Sequence, residues 1–161
     1  MTKFAVARQI FGIVVVLVGA AFAAQSHAAA VRNMDGKWEG SLAVVHPAAA
    51  KGETPHPFVL RIEINGDKAH VFLKQDTGWI EAKAGLFHVQ RQRSNAVLTA
   101  IDSGSDEEGV WVETWSIALT QKSDDAALGL FSRLVSNEDL PASSDHKAFS
   151  VAAAGEFKRT N

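Results

Sequence analysis

The feature that most constrains the fold is a period of two in hydrophobicity, which runs from Trp38 almost to the end of the chain. Segments rich in valine, isoleucine, phenylalanine and tryptophan are separated by short groups of turn residues. Between Phe58 and Ile64 every second residue is large and apolar, and the Asn65-Gly66 pair that follows is typical of a tight hairpin. No helical period is long enough for a major helix. The pattern predicts an all-β protein.

The same alternation predicts about eight strands. They lie near 37–46, 57–65, 68–75, 79–93, 96–102, 110–120, 126–136 and 148–159, with the fourth bent or broken around Gly85. If the strands run up and down, the long connections 47–56, 76–78, 103–109 and 137–147 share one end, and the short connections 65–66, 94–95 and 121–125 share the other. Such an asymmetry favours an antiparallel up-and-down barrel with one open mouth. A break at Gly85 would remove this argument for the later connections.

The first thirty residues have the three-part layout of a signal peptide. Lys3 and Arg8 precede an apolar run over 10–24, and small residues follow as far as Ala30. We predict that residues 1–30 are a signal peptide cut after Ala30, with cuts after Ala28 or Ser26 also permitted. The apolar run is shorter than the roughly 20 residues that cross a bilayer as a helix. The expected product is therefore periplasmic or secreted, with no stable membrane span after cleavage.

Composition places limits on the mature chain. Residues 31–161 number 131, carry 14 basic and 18 acidic side chains and are predicted to form a single barrel domain. This net charge of −4 gives no broad basic field, so nucleic acid and anionic membranes are not expected partners. The chain has no cysteine, which excludes disulfides, thiolate metal sites and catalytic thiols.

Two short motifs at opposite ends of the predicted barrel suggest a family. Asp35-Gly36-Lys37-Trp38 opens the first strand, and Phe157-Lys158-Arg159 closes the last. This arrangement resembles the calycins, which include lipocalins, fatty-acid-binding proteins and the avidin type. The resemblance implies that Trp38, two residues after Gly36, plugs the closed end of the barrel while Lys158 or Arg159 covers it. Stacking of a cation on an indole ring is favourable in its own right.

The resemblance extends to the architecture but not to a particular ligand. The second lipocalin motif contains a tyrosine, and the biotin pocket of avidins also uses one. This chain has no tyrosine, so neither feature is present. Trp38 can also be interpreted as an ordinary large core residue near a glycine, and this interpretation predicts the same burial.

Recognisable catalytic and cofactor motifs are missing from the sequence. It has no Gly-x-Ser-x-Gly, phosphate loop, His-Glu-x-x-His or dinucleotide fingerprint, so no cofactor is expected. The acidic run 102–108 fits no calcium motif and is interpreted as a solvated turn. His46, His56 and His146 would share the mouth, but without paired spacing they are interpreted as exposed loop residues rather than a zinc or copper site. His70 and His88 lie within strands.

The predicted mouth carries an excess of acidic residues. Its connections contain Lys51 and Lys147 against the acidic residues Glu53, Asp76, Asp106, Glu107, Glu108, Glu138, Asp139 and Asp145. Such a rim would favour cationic over anionic ligands. Ordinary solubility explains it equally well.

The sixth strand supplies the candidate binding residues. Trp111, Glu113, Trp115, Ile117 and Leu119 share one face, and the smaller residues between them share the other. The heavier face should point inward and line a ligand cavity through Trp111, Glu113, Trp115 and Ile117. Glu113 would then be a carboxylate among apolar neighbours and would need an inward arginine, a water or a ligand as its partner.

Three functional hypotheses follow. The first is an exported protein that binds a small apolar or amphipathic molecule in the barrel without transforming it. The second is a periplasmic protein-interaction module, such as an inhibitor or an envelope factor, whose barrel is filled by side chains and whose partner is another protein. The third is an enzyme with spatially assembled residues. The sequence does not distinguish a hollow barrel from a filled one.

The leader gives the first testable prediction. The mature protein should begin near Val31, because small residues follow an apolar run too short to span a membrane comfortably. Intact-mass measurement of the exported form from its native host will show the loss of residues 1–30. Recovery of the full chain in the membrane fraction would contradict the prediction.

Overall fold

A computed structural model describes residues 33–47, 57–107 and 109–161. These residues form eight strands and no helix: β1 (Gly36–His46), β2 (Phe58–Asn65), β3 (Lys68–Gln75), β4 (Gly78–Gln92), β5 (Asn95–Asp106), β6 (Gly109–Gln121), β7 (Ala126–Asn137) and β8 (Ala148–Thr160). Each strand pairs antiparallel with its neighbours in the chain, and β8 pairs with β1 to close the barrel. The predicted all-β, eight-stranded up-and-down barrel is confirmed. Within the described ranges, no helix has the length and apolar character needed to cross a membrane.

The predicted strand limits agree with the structure to within one residue except at β5, which continues to Asp106. Gly85 bends β4 without breaking it, at a φ of 65°. Opposite β3, the bend adds residues between Glu81, which pairs with Phe72, and Leu86, which pairs with His70. Beyond the bend, β4 pairs with β5 only from His88 to Gln92. The first half of β4 therefore diverges from β5 towards the mouth.

The assignment of connections to the two ends is correct because β4 is one strand. The turns β2–β3, β4–β5 and β6–β7 lie at the closed end, and the mouth is the end where β1, β3, β5 and β7 finish and β2, β4, β6 and β8 begin. Several predictions fall outside the described residues. These are the signal peptide, 1–30, and the mouth residues Lys51, Glu53, His56 and Glu108.

The interior towards the closed end is filled by side chains. The fully buried residues there include Trp38, Ile62, Leu98, Ile117, Leu119 and Phe157. Each large apolar side chain removed from water contributes about 1.5–3 kcal/mol to the stability of the fold. This half of the barrel is a packed core.

Trp38 lies at the centre of the closed end and is completely buried. Its Nε1 donates to the Met34 carbonyl at 2.9 Å, and the Arg159 guanidinium lies 4.4 Å from the centre of its ring. Arg159 also donates to the carbonyls of Asn33, at 2.7 Å, and Asp35. Gly36 has a φ of 117°, and a Cβ there would lie 2.8 Å from Arg159 Nη1. Arg159 thus ties the start of β1 to the end of β8 across the indole ring.

A second arginine fastens the same end. Arg91 Nη2 donates to Asp35 Oδ1 at 2.5 Å, and Arg91 also donates to the Gly66 carbonyl. The hydrogen bond from Arg91 lowers the pKa of the Asp35 carboxyl, and the Gly66 amide contributes in the same direction. Because the folded protein lowers this pKa, the stabilisation is present at neutral pH and is lost as the pH falls through the lowered value.

Replacing Trp38 with alanine should cost about 3–5 kcal/mol of unfolding free energy, because it leaves a cavity at the base of the core. The matched control is Trp79→Ala, since Trp79 is a half-buried tryptophan on the outside of β4, stacked on Arg61. Its loss should be smaller. Chemical denaturation measures both. A change within about 0.5 kcal/mol for Trp38→Ala, typical of a surface site, would contradict a core role.

Candidate functional site

A layer of aromatic rings crosses the barrel above the packed core. Trp115 makes edge contacts with Phe87 at 6.1 Å and with Phe131 at 5.5 Å between ring centres, and Phe58 meets Phe131 at 5.2 Å. These residues come from β2, β4, β6 and β7, so the layer spans the interior. Rings at these distances and angles are favourably arranged. The layer forms the floor of the mouth.

Glu113 lies on the mouth side of this layer and is 2% exposed. Its Oε1 accepts a hydrogen bond from Trp115 Nε1 at 2.7 Å, and its Oε2 accepts one from Arg133 Nε, also at 2.7 Å. A second guanidinium nitrogen of Arg133 contacts the same oxygen. The partner that the sequence required for Glu113 is therefore an inward arginine. With both oxygens engaged, the carboxylate is a fixed acceptor.

Arg133 is the residue that sequence reasoning missed. It faces inward on β7 because it pairs with Trp115 on β6 and with Val151 on β8. Its guanidinium lies 5.4 Å from the Trp115 ring centre and 5.9 Å from that of Phe149. About a third of the side chain is exposed. One signal could have identified it: Arg133 interrupts the inward series Ala127, Gly129, Phe131 and Val135.

Two clefts open at the mouth, and Arg133 lines both. The apolar cleft, of about 290 Å³, rests on the aromatic layer and is lined by Phe58, Leu73, Trp115, Phe131, Arg133 and Val151. The polar cleft, of about 240 Å³, is lined by Lys83, Asp106, Trp111, Glu113, Arg133, Val135, Asn137 and Phe149. A ligand touching both clefts would meet an apolar surface at one end and hydrogen-bonding groups at the other.

The predicted site residues are divided between these clefts. Trp111 lines the polar cleft and Trp115 the apolar cleft, so the two rings do not line one cavity. Glu113 borders the polar cleft. Ile117 is fully buried below the aromatic layer and lines neither cleft.

The position of Trp111 depends on the residue opposite it. Trp111 pairs with Gly104 on β5, and its ring lies over that glycine. A Cβ at position 104 would be 2.5 Å from Trp111 Cζ2. Any larger residue at position 104 would displace the ring. The missing side chain of Gly104 therefore leaves the space in which Trp111 lies beside the polar cleft.

Some charged side chains at the mouth form hydrogen bonds that stabilise the loops there. Lys147 Nζ donates to the carbonyls of Asn137 and Glu138, at 2.7 and 2.9 Å, and Asp139 accepts from the Val110 amide at 2.9 Å. The polar cleft itself has two cationic and two anionic residues, so it does not share the acidic excess of the rim. In the ranges that the structure describes, no three histidine or carboxylate side chains are grouped to hold a metal ion.

No protein-family model matches the chain, and a search of the curated proteins gives no significant match.

The Glu113–Arg133 pair predicts a stability effect. Arg133→Met should cost about 2–3 kcal/mol of unfolding free energy, because it leaves a buried carboxylate without its cation. Lys122→Met is the control, since the Lys122–Glu156 pair has a similar contact distance of 2.7 Å but is half exposed, and it should cost less than about 1 kcal/mol. Chemical denaturation compares them.

The double variant Glu113→Gln/Arg133→Met tests the cause. Removing the carboxylate charge should recover part of the loss seen in Arg133→Met, because the penalty comes from the unpaired ion. Purely additive losses would contradict a coupled pair.

Proposed function

We propose that this chain is an exported, calycin-like protein that binds a small apolar or amphipathic molecule at the mouth of its barrel without transforming it. The observation that carries the proposal is the meeting of an apolar and a polar cleft at Arg133, above a continuous aromatic layer. Concave sites with an apolar lining and a few polar groups are typical of ligand pockets.

The sizes of the clefts indicate how a ligand is held. Each has a volume below or near the lower limit of about 300 Å³ for ligand pockets. A ligand of ordinary size therefore occupies both. Its apolar part lies on Trp115 and Phe131, and its polar group faces Lys83, Arg133 and Asn137. Because acidic and basic residues balance in the polar cleft, a neutral or zwitterionic head group fits best.

Binding is favoured over catalysis by the state of Glu113. A general base must reach the proton that it removes from a substrate, and Glu113 is only 2% exposed. Both oxygens of Glu113 are engaged, by Trp115 and by Arg133. The carboxylate therefore orients Arg133 and Trp115 towards the clefts, which is a positioning role.

Two features support the calycin-like and exported parts of the proposal. The closed eight-stranded antiparallel barrel agrees with the architecture that the resemblance implies, and Arg159 lies on the ring of Trp38. The charged start, apolar run and small residues of 1–30 support export.

A second candidate function is the protein-interaction module. The packed half of the barrel and the exposed aliphatic side chains on the outside of β7, including Leu130 and Leu134, favour it.

Tryptophan fluorescence tests the binding proposal. A monoacylglycerol, with a neutral head group, and a lysophosphatidylcholine, with a zwitterionic one, are titrated into the mature protein beside a fatty acid as the anionic comparison. At least one of the first two should change the emission saturably. Trp115→Phe should remove most of the change, because that ring forms the floor of the apolar cleft. Trp79→Phe, on the outer surface, should retain it. Native mass spectrometry of protein from its own host identifies any ligand that co-purifies.

Filling the apolar cleft with a larger side chain tests binding without removing Trp115, the fluorescent residue of the first test. Val151→Trp places an indole ring in the apolar cleft and should weaken binding at least roughly tenfold, a loss of about 1.4 kcal/mol. Val59→Trp makes the same substitution on the outer face of β2 and should leave affinity unchanged. Equal affinity in both variants, or no response to any compound, would overturn binding at this mouth.

A further inference from the structure

Most of the outer surface of β5 to β8 is uncharged, whereas the outer surface of β2 to β4 is charged. On β2 to β4 the outward positions include Arg61, Glu63, Lys74 and Glu81. On β5 to β8 every outward residue within 97–105, 110–118, 130–136 and 148–154 is serine, threonine, alanine, valine, leucine or isoleucine. We call this surface the uncharged wall.

The uncharged wall is rich in exposed aliphatic side chains. Ten large apolar residues are exposed in the described part of the chain, and five lie on the wall: Val97, Ile101, Val110, Leu130 and Leu134. Ile101 is 74% exposed and Leu134 is 54% exposed, and both flank Thr114 in one row across the strands. A contiguous group of this kind is characteristic of an interaction surface.

A groove borders the wall where β4 diverges from β5. It has a volume of about 500 Å³ and is lined by Leu86, His88, Thr99, Ala100, Ile101 and Thr114. The wall therefore has two protruding side chains, Ile101 and Leu134, beside a concave apolar strip. A two-fold dimer needs one patch that complements itself, and a projection beside a recess allows each copy to insert into the other.

The distribution of charge indicates which surface a second copy of the chain would contact. The mature chain has a net charge of −4, so two copies repel each other wherever their acidic surfaces face. The uncharged wall itself has no ionisable side chain, so burying it desolvates no charge, and His88 is the one titratable residue that lines the bordering groove. From this charge pattern and the shape of the wall, we propose that the mature protein forms a two-fold symmetric dimer through the outward faces of β5 to β8.

The area of the wall predicts the strength of this dimer. Four strands about 4.8 Å apart, and eight residue steps of about 3.4 Å, give a surface of roughly 15 by 27 Å. That is about half of the roughly 800 Å² that each partner contributes to a standard interface. The dimer is therefore weak and reversible, with exchange between monomer and dimer at micromolar or higher concentration.

Sedimentation equilibrium of the mature protein, from about 1 μM to about 1 mM, tests the proposal across the range of weak affinities. The expected result is a single monomer–dimer equilibrium. Leu134→Glu should raise the dissociation constant at least roughly tenfold, because it buries a charge from each copy. Ile101→Glu, on a different strand, should do the same. Ile80→Glu is the control, since Ile80 is 44% exposed on the inner side of β4 at the mouth, away from the wall, and it should leave the equilibrium unchanged.

Several results would overturn the proposal. A protein that stays monomeric throughout the range, an open-ended series of larger species, or equal weakening by all three glutamate variants would each do so. Co-sedimentation of a monomeric protein with zwitterionic phospholipid vesicles, lost in Leu134→Glu, would instead assign the wall to a lipid surface. Circular dichroism confirms that each variant is folded before its result is used.

Discussion

Closure of the sheet between β1 and β8 is the constraint on which the rest of this structure depends. An eight-stranded barrel encloses a space only just wide enough for side chains, so each inward residue competes with those opposite it. Towards the closed end, large residues such as Trp38 and Phe157 fill that space. Towards the mouth, the bend in β4 draws the first half of that strand away from β5, and two clefts remain. A polar residue pointing inward there must find its partner inside, which explains the pairing of Glu113 with Arg133.

The fold was predictable because period-two alternation persists along most of the sheet; only across the bend of β4 does its phase change, so that Ala82 and Phe87 are both buried. The alternation shows which residues share a face, and turn residues show where strands end. It failed for β5 beyond Asp102, where serine, glycine and acidic residues have the composition of a turn. In the structure Asp102 and Gly104 continue the ladder opposite Glu113 and Trp111. Pairing with the long strand β6 extends β5 to Asp106, and the local composition of residues 103–106 does not predict this extension.

The candidate site was predictable only in part. Alternation on β6 identifies Trp111, Glu113 and Trp115. It does not show how far each side chain lies along the barrel axis relative to residues of distant strands. Register and the bend at Gly85 fix that position, and they divide the two tryptophans between separate clefts. The same alternation that turns the heavy residues of β6 inward leaves only small and aliphatic residues outside. A filled interior and an uncharged exterior are thus two results of one pattern.

The contact of Arg159 with Trp38 and with the carbonyls of Asn33 and Asp35 affects the order in which the barrel folds. It joins residues more than a hundred positions apart, and β8, which closes the barrel, is the last of the eight strands to be synthesised. Hairpins such as β2–β3 form from local contacts, whereas closure waits for the whole chain. Until β8 arrives, β1 presents an unpaired edge and the core is open on one side. The Arg159–Trp38 contact therefore forms only after the other seven strands have been made, and local hairpins precede closure of the barrel.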